Sequence, residues 1–271
     1  MTEGNMLILD AGTSRVKAGL VSRNGEILGY ASKSLTPKST RPGEAVTDPA
    51  DLWEAVRVLT RQLMKDAETR NVDALSFTGS RISVSLVDRN GTVLHPLVTW
   101  LDSRSATEFD KRIEEVDKRV ILQKILWFKE SRPDLYAKAT SILNLDSYLN
   151  TKLVGKPVMW IQSAVYALYD PVKKEWPDKL DEFGVDRTLL PEVLESGSYL
   201  GELTSEAAAD LGLSKKTEVY LGMGDNQAGT VSVGALSASD TKVGLGTGAY
   251  LDIVFDAPPF DFYHRGAKVF C

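Results

Sequence analysis

The sequence predicts an α/β fold with a mixed sheet flanked by helices. Three observations carry that prediction: short apolar strands separated by glycine turns at the start, an amphipathic helix directly behind them, and later apolar strands that close on glycine before a turn or helix. At 271 residues the chain makes one large domain or two small ones, and 43% hydrophobic with 25% charged residues is an ordinary globular composition.

Residues 6–10 (MLILD) are an apolar run that stops at Ala11-Gly12, and residues 16–21 are a second. Asn24-Gly25 then marks a hairpin, because both residue types tolerate the positive φ of a tight turn, and a third run follows over 26–33. Together these read as an antiparallel meander. Thr47-Asp48-Pro49 offers an N-cap followed by proline at the first helical position, where its missing N–H costs nothing. Leu52, Trp53, Val56, Leu59 and Leu63 recur behind it as an amphipathic stripe. VDALSFTG (72–79) reads as a buried strand ending in glycine, and ISVSLVD (82–88) turns at Asn90-Gly91 into VLHPLVTW (93–100). Residues 105–190 read as mainly helical. Residues 218–223 read as an apolar strand closed by Gly224, 228–236 as a small-residue helix, and 241–255 as strand, glycine turn and strand. That last pattern repeats the opening of the chain and points to the start of a second, similar unit.

A net charge of −5 gives no electrostatic footprint for nucleic acid or an anionic membrane as partner. The single cysteine, Cys271, can form no intramolecular disulfide, and His95 and His264 are too few for a structural zinc site. The N-terminus lacks a basic start followed by an apolar core, and no apolar run approaches the ~18–20 residues of a membrane span. The expectation is a cytoplasmic protein.

Chemistry concentrates in three glycine-bearing turns, each directly after an apolar strand. In DAGTSRVK (10–17), Asp10 ends a strand and Gly12, Thr13 and Ser14 follow. The N–H and hydroxyl groups of such a loop suit phosphate, Asp10 suits a hydrated Mg²⁺, and Lys17 on the returning strand can reach the same phosphates. The alternative is an ordinary hairpin with a solvated aspartate. In GMGDNQAG (222–229), Asp225 stands between a glycine turn and a small-residue helix, either as a general base at a cleft mouth or as an N-cap. In GLGTGA (244–249) the spacing is GxGxG and the flanks are strands, so a second phosphate-facing hairpin fits better than a dinucleotide loop.

Together the three motifs resemble the FGGY family of carbohydrate kinases, which includes xylulose and glycerol kinases and has the actin-like ATPase (ribonuclease H-like) fold. Residues 10–20 resemble its first phosphate loop and TWLDSR (99–104) its W-x-D-x-R segment. KILWFKESRPDLY (124–136) resembles its K-x-x-W-x-K-E-x-x-P helix, and residues 201–229 follow its LT-x-E-A-A to G-x-G-D-N run. The resemblance implies ATP and Mg²⁺ as cofactors and a small-molecule sugar or polyol, of xylulose-like pentulose type, as substrate. It makes Asp225 the base that takes the proton of the attacking hydroxyl and Asp10 the Mg²⁺-associated aspartate. Gly12, Thr13, Ser14 and Lys17 match the first phosphate loop, and Gly246, Thr247 and Gly248 the second. Trp100, Asp102 and Asn226 match positions lining the sugar site. Arg81 falls near an arginine of glycerol kinases, within Gly79-Ser80-Arg81-Ile82, but Ile82 stands where they carry an acidic residue.

The family pairs two similar domains with ATP and sugar between them. The resemblance therefore makes residues 1–240 the sugar-binding domain that carries the base. Residues 241–271 become the start of a nucleotide domain, the rest of which a separate chain or a homodimer would supply. The 1–271 chain alone is expected to fold through 1–240, to hold its last hairpin weakly and to show no kinase turnover. The competing function is a catalytically silent sugar-binding or regulatory module.

Overall fold

A computed structural model describes residues 4–66, 71–107, 121–245 and 249–256. β1 (Asn5–Ala11), β2 (Arg15–Ser22) and β3 (Ile27–Ser34) form the expected meander, with β2 antiparallel to both neighbours. Side chains alternate as the pleat requires: Leu7, Leu9 and Ala11 are buried while Met6 faces out. Gly25, at φ 85°, closes the β2–β3 turn. After β4 (Val46–Thr47) comes α1 (Pro49–Asp66), where the Asp48 carboxylate accepts the Ala50 N–H at 2.9 Å as an N-cap should. Its stripe of Leu52, Val56, Leu59 and Leu63 is buried over β2 and β3.

β5 (Ala74–Gly79) returns parallel to β1. β6 (Ser85–Val87) and β7 (Leu97–Val98) depart from the simple pair expected over 82–100. The two runs are joined by the isolated bridges Val84↔Val98 and Val87↔Val93 and by the Leu94 N–H on the Leu86 carbonyl at 2.8 Å, while β7 makes its ladder with β4. Pro96 has no N–H to donate to a longer ladder. α2 (Arg104–Thr107), α3 (Ile121–Ser131) and α4 (Pro133–Tyr136) precede β8 (Ser141–Leu143), which pairs β6. α5 (Leu145–Val154), β9 (Val158–Trp160) and α6 (Ile161–Ala164) lead to a 3-10 turn over Val165–Ala167. α7 (Lys179–Glu182) then precedes β10 (Glu192–Leu194), which pairs β9. The described part of the expected helical middle thus also holds two short strands, β8 and β9.

β11 (Tyr199–Glu202) and α8 (Ser205–Leu211) precede β12 (Glu218–Tyr220) and β13 (Met223–Gly224). One continuous strand was expected over 218–223, but the chain breaks at Leu221-Gly222, where the backbone leans on β5. A Cβ at Gly222 would lie 1.7 Å from the Phe77 carbonyl oxygen. α9 (Asp225–Ser232) begins three residues before the expected helix, directly on β13. The main sheet runs β11-β12-β5-β1-β2-β3, with β13 continuing the line of β12 along β5. β14 (Thr241–Leu245) and β15 (Ala249–Ile253) form their own hairpin.

The larger core lies between the main sheet and α1, α5 and α8. Arg61 of α1 donates to the Ala209 and Asp210 carbonyls at the end of α8, both at 2.6 Å, satisfying acceptors that the helix leaves open. A second core gathers α3, β6 and the Tyr166 turn. Among the described residues no helix is long and apolar enough to cross a membrane.

Candidate functional site

The parallel strands β1, β5 and β13 end side by side. Asp10, Thr78 and Met223 form one row across them, and Ala11, Gly79 and Gly224 the next. Whatever follows each strand is therefore delivered to one edge of the sheet, where open α/β sheets place their ligands. Asp10 and Asp225 arrive on either side of β5, on strands each one spacing of about 4.8 Å from it, with Asp225 two residues beyond the row of Asp10.

Asp10 accepts the Lys17 ammonium at 2.7 Å, its register partner on β2. That hydrogen bond raises the Lys17 amine above its ordinary value against the opposing effect of burial. Both side chains keep substantial solvent contact. Gly12, Thr13 and Ser14 make the turn between them, closed by the Gly12 N–H on the Arg15 carbonyl at 3.0 Å. The Thr13 hydroxyl accepts the Trp100 indole N–H at 2.7 Å, which ties the 99–104 segment to this loop across 87 residues.

Asp225 opens α9, and its carboxylate accepts the Asn226 N–H at 2.8 Å. Gly224, not Asp225, occupies the cap position. The carboxyl is crowded by protein but open to solvent on one side. Burial raises it above the usual aspartate value, the Arg81 guanidinium pulls it down, and the Asp10 carboxylate pushes it up again. Those influences require Arg81, Asp10 and Asp225 to share one locale. Arg81 reaches it by lying along the Gly224 backbone: a Cβ at Gly224 would sit 2.5 Å from Arg81 Cδ. The backbone carbonyl of Asn226 accepts the Lys242 ammonium at 3.2 Å.

Asp102 is buried in the turn that follows Trp100. Its carboxylate is fully buried and takes the Arg104 guanidinium at 2.7 Å and the Ala45 N–H at 2.9 Å. In this conformation it holds the turn that carries Trp100. Gly246, Thr247 and Gly248 lie outside the described residues.

Tyr166 and Ile82 join the locale without a sequence motif, and Gln227 joins it from within 222–229. Tyr166 sets its ring 5.3 Å from Arg81 Cζ. Gln227 brings a buried amide oxygen to the same Gly224 surface, with no hydrogen-bond partner among the described residues. Ile82, directly after Arg81, is at φ 60°, the left-handed region that a β-branched residue rarely enters. The only signal was negative and lay at 79–82, where Ile82 stands in place of the family's acidic residue. As for Mg²⁺, the partly open Asp10 carboxylate beside a phosphate-type loop fits an ion that takes one or two carboxylates and completes its shell with water and phosphate.

Similarity to known proteins follows this geometry. The xylulose kinase of Bacillus subtilis (strain 168) is 27% identical over 255 residues, covering 88% of this chain and 51% of the relative. The autoinducer-2 kinase of Klebsiella pneumoniae is 28% identical over 263 residues, covering 89% and 49%. The chain spans about half the length of these curated relatives. Among solved structures, ligand-bound xylulose kinase from Lactobacillus acidophilus superposes with a TM-score of 0.88 at 21% identity, over 98% of this chain and 58% of that one. Xylulose kinase from Rhodospirillum rubrum gives 0.87 at 23%, over 97% and 59%. The fold is thus the actin-like ATPase fold of these sugar kinases. A family model described as the N-terminal domain of the FGGY family of carbohydrate kinases matches residues 5–232, and the chain belongs to that family.

Proposed function

We propose that this chain is the sugar-binding, base-carrying half of an ATP-dependent carbohydrate kinase acting on a sugar or polyol, with a xylulose-like pentulose as substrate. The observation that carries this reading is the delivery of Asp10, Arg81 and Asp225 to one sheet edge by β1, β5 and β13. Asp225 takes the proton of the acceptor hydroxyl as its oxygen bonds the γ-phosphorus and the bond to the β,γ-bridging oxygen breaks. A carboxyl raised by burial is a stronger base once ionised, so turnover rises with pH through its titration. Asp10 holds Mg²⁺, which neutralises phosphate charge when bound. Lys17 and the Gly12, Thr13 and Ser14 turn face the phosphates, and Gly246, Thr247 and Gly248 do so from the second hairpin. Trp100, Asn226 and Arg81 line the acceptor side. Residues 1–240 form the sugar domain and 241–271 begin the nucleotide domain, with the remainder supplied in the same or another chain.

The test is ADP formation with D-xylulose, glycerol and gluconate, using the chain alone and mixed with the separately expressed C-terminal domain of a xylulose kinase. Turnover is expected only in the mixture, greatest with D-xylulose, and Asp225→Asn lowers kcat by at least ~10²-fold with sugar affinity little changed. Sugar binding without turnover in any mixture favours the silent module instead.

A further inference from the structure

Arg81 has an unusual setting for a surface-directed cation. It is only 8% exposed, yet it stands at the edge of the site rather than in the core. Its stem lies on the Gly224 backbone, immediately before Asp225, and its guanidinium lies over the Tyr166 ring at 5.3 Å. An arginine within about 6 Å of a tyrosine ring centroid is attracted by the ring's negative face.

Both partners sit on bent backbone. Ile82 follows Arg81 at φ 60°, and Leu168 follows the Tyr166 turn at φ 73°. Left-handed non-glycine residues are strained and persist only where packing over-determines them. Here both do: Tyr166 and Leu168 belong to the second core, and Ile82 packs against it. The same strained core thus fixes the ring and redirects the chain that carries Arg81.

We propose that Tyr166 is a positioning residue of the acceptor site: its ring face holds the Arg81 guanidinium on Gly224, beside the Asp225 carboxylate, and so sets the charge pair that a polyhydroxyl substrate meets. The proposal deepens the reading of Asp225 as the acceptor-facing base and rests on it. Its physical consequence lies in titration. Asp225 is faced by Arg81 from the loop after β5, by Asp10 from β1 with Lys17 bound to it, and by the Asn226 N–H on its own helix. Lys242 and Asp252 approach α9 from the hairpin but pair with each other. Arg81 is the cation of this set that acts directly on Asp225 to keep it ionised. If Tyr166 no longer holds it there, Asp225 titrates at higher pH.

The experiment follows the Asp225 carboxyl carbon by ¹³C NMR in the 1–271 chain, assigned by the signal missing from Asp225→Asn. Arg81→Met should move the titration midpoint upward. Tyr166→Leu should move it in the same direction by the same amount, the double variant should add nothing, and Tyr166→Phe, which keeps the ring face, should titrate as the parent does. Should Tyr166→Leu fail to fold, Tyr166→Met puts the same question with a chain of similar length. A parental midpoint in the Leu or Met variant overturns the proposal, and so does a parental midpoint in Arg81→Met. The base assignment fails on a different readout, undiminished turnover of Asp225→Asn in the reconstituted kinase, which leaves this carboxyl measurement standing.

Discussion

Two hairpins of this chain carry nearly the same local signal and end in opposite environments. β1 and β2 flank Gly12-Thr13, and β14 and β15 flank Gly246-Thr247, each pair an apolar strand, a glycine turn and a returning strand. The first hairpin sits mid-sheet, with β5 on one side, β3 on the other and α1 above it, and Leu7, Leu9 and Leu20 are at most 1% exposed. Among the described residues the second pairs only with itself, and Val243, Leu245 and Leu251 are 62%, 83% and 63% exposed. Strand propensity is common to both, so it does not explain the difference. What covers a strand decides its burial, and an isolated hairpin is marginal in water.

The sharpest way to break the first environment is at the contact between β5 and the chain that leads into Asp225. Gly222→Ala forces a Cβ to within 1.7 Å of the Phe77 carbonyl, backbone against backbone, with no flexible side chain to yield. A loss of at least ~3 kcal/mol is expected, because clashes of this kind belong to the severe tail of point substitutions. Urea unfolding measures it. A midpoint equal to the parent's would mean that β13 does not depend on this close approach, and the placement of Asp225 would need another account.

The contrast also explains which features the sequence could show. Asp10, Arg81 and Asp225 were legible as strand-end residues because a strand and its glycine turn are local patterns. Their convergence was legible only through the family resemblance, since β1, β5 and β13 are far apart in the chain. Tyr166 was not legible: its contact with Arg81 depends on the strained turns at Ile82 and Leu168, which leave no periodicity. Asp102 read as a sugar-site residue, and its pairing with Arg104 is a further contact that no spacing reveals. The buried charges were equally silent. Burial pushes the Asp146 carboxyl up to about 6 and the Lys124 amine down to about 8, and no local pattern marks either as buried. The split of 218–223 was missed because its cause is a contact with Phe77.

A smaller effect tests what holds the second hairpin at all. Lys242 and Asp252 pair across it at 2.9 Å, with side chains 17% and 15% exposed. Lys242 also donates to the Asn226 carbonyl at 3.2 Å, and the Thr230 hydroxyl reaches Asp252 at 3.3 Å. A polar clamp thus fastens the hairpin to α9, where β1–β2 uses apolar cover. Lys242→Met leaves Asp252 without its cation in a nearly dry site, at a cost of about 1–2 kcal/mol. The loss should be local. Hydrogen exchange is expected to quicken over residues 241–245 and 251–253 while β1 and β5 keep parental protection. Quickening in β1 as well would mean that hairpin and sheet open as one unit.

The smallest expected effect is at Leu245, and it bears most directly on the contrast. A leucine buried as Leu9 is costs about 2–5 kcal/mol to truncate, because apolar transfer and a residual cavity both count against the variant. Leu245 is 83% exposed and packs little of its side chain. Leu245→Ser should therefore change the unfolding free energy by no more than about 0.5 kcal/mol, the usual range for a surface position. Leu9→Ala, measured beside it under the same urea conditions, supplies the buried reference. The comparison sharpens if the Leu245 value is also concentration-independent, as a solvated side chain requires. A loss near 2 kcal/mol would show that this face of the hairpin is covered in solution. Sedimentation would then locate the cover: a loss that vanishes on dilution of a self-associating parent points to a second copy of the chain. A loss that persists in a monomer places the hairpin back against its own domain.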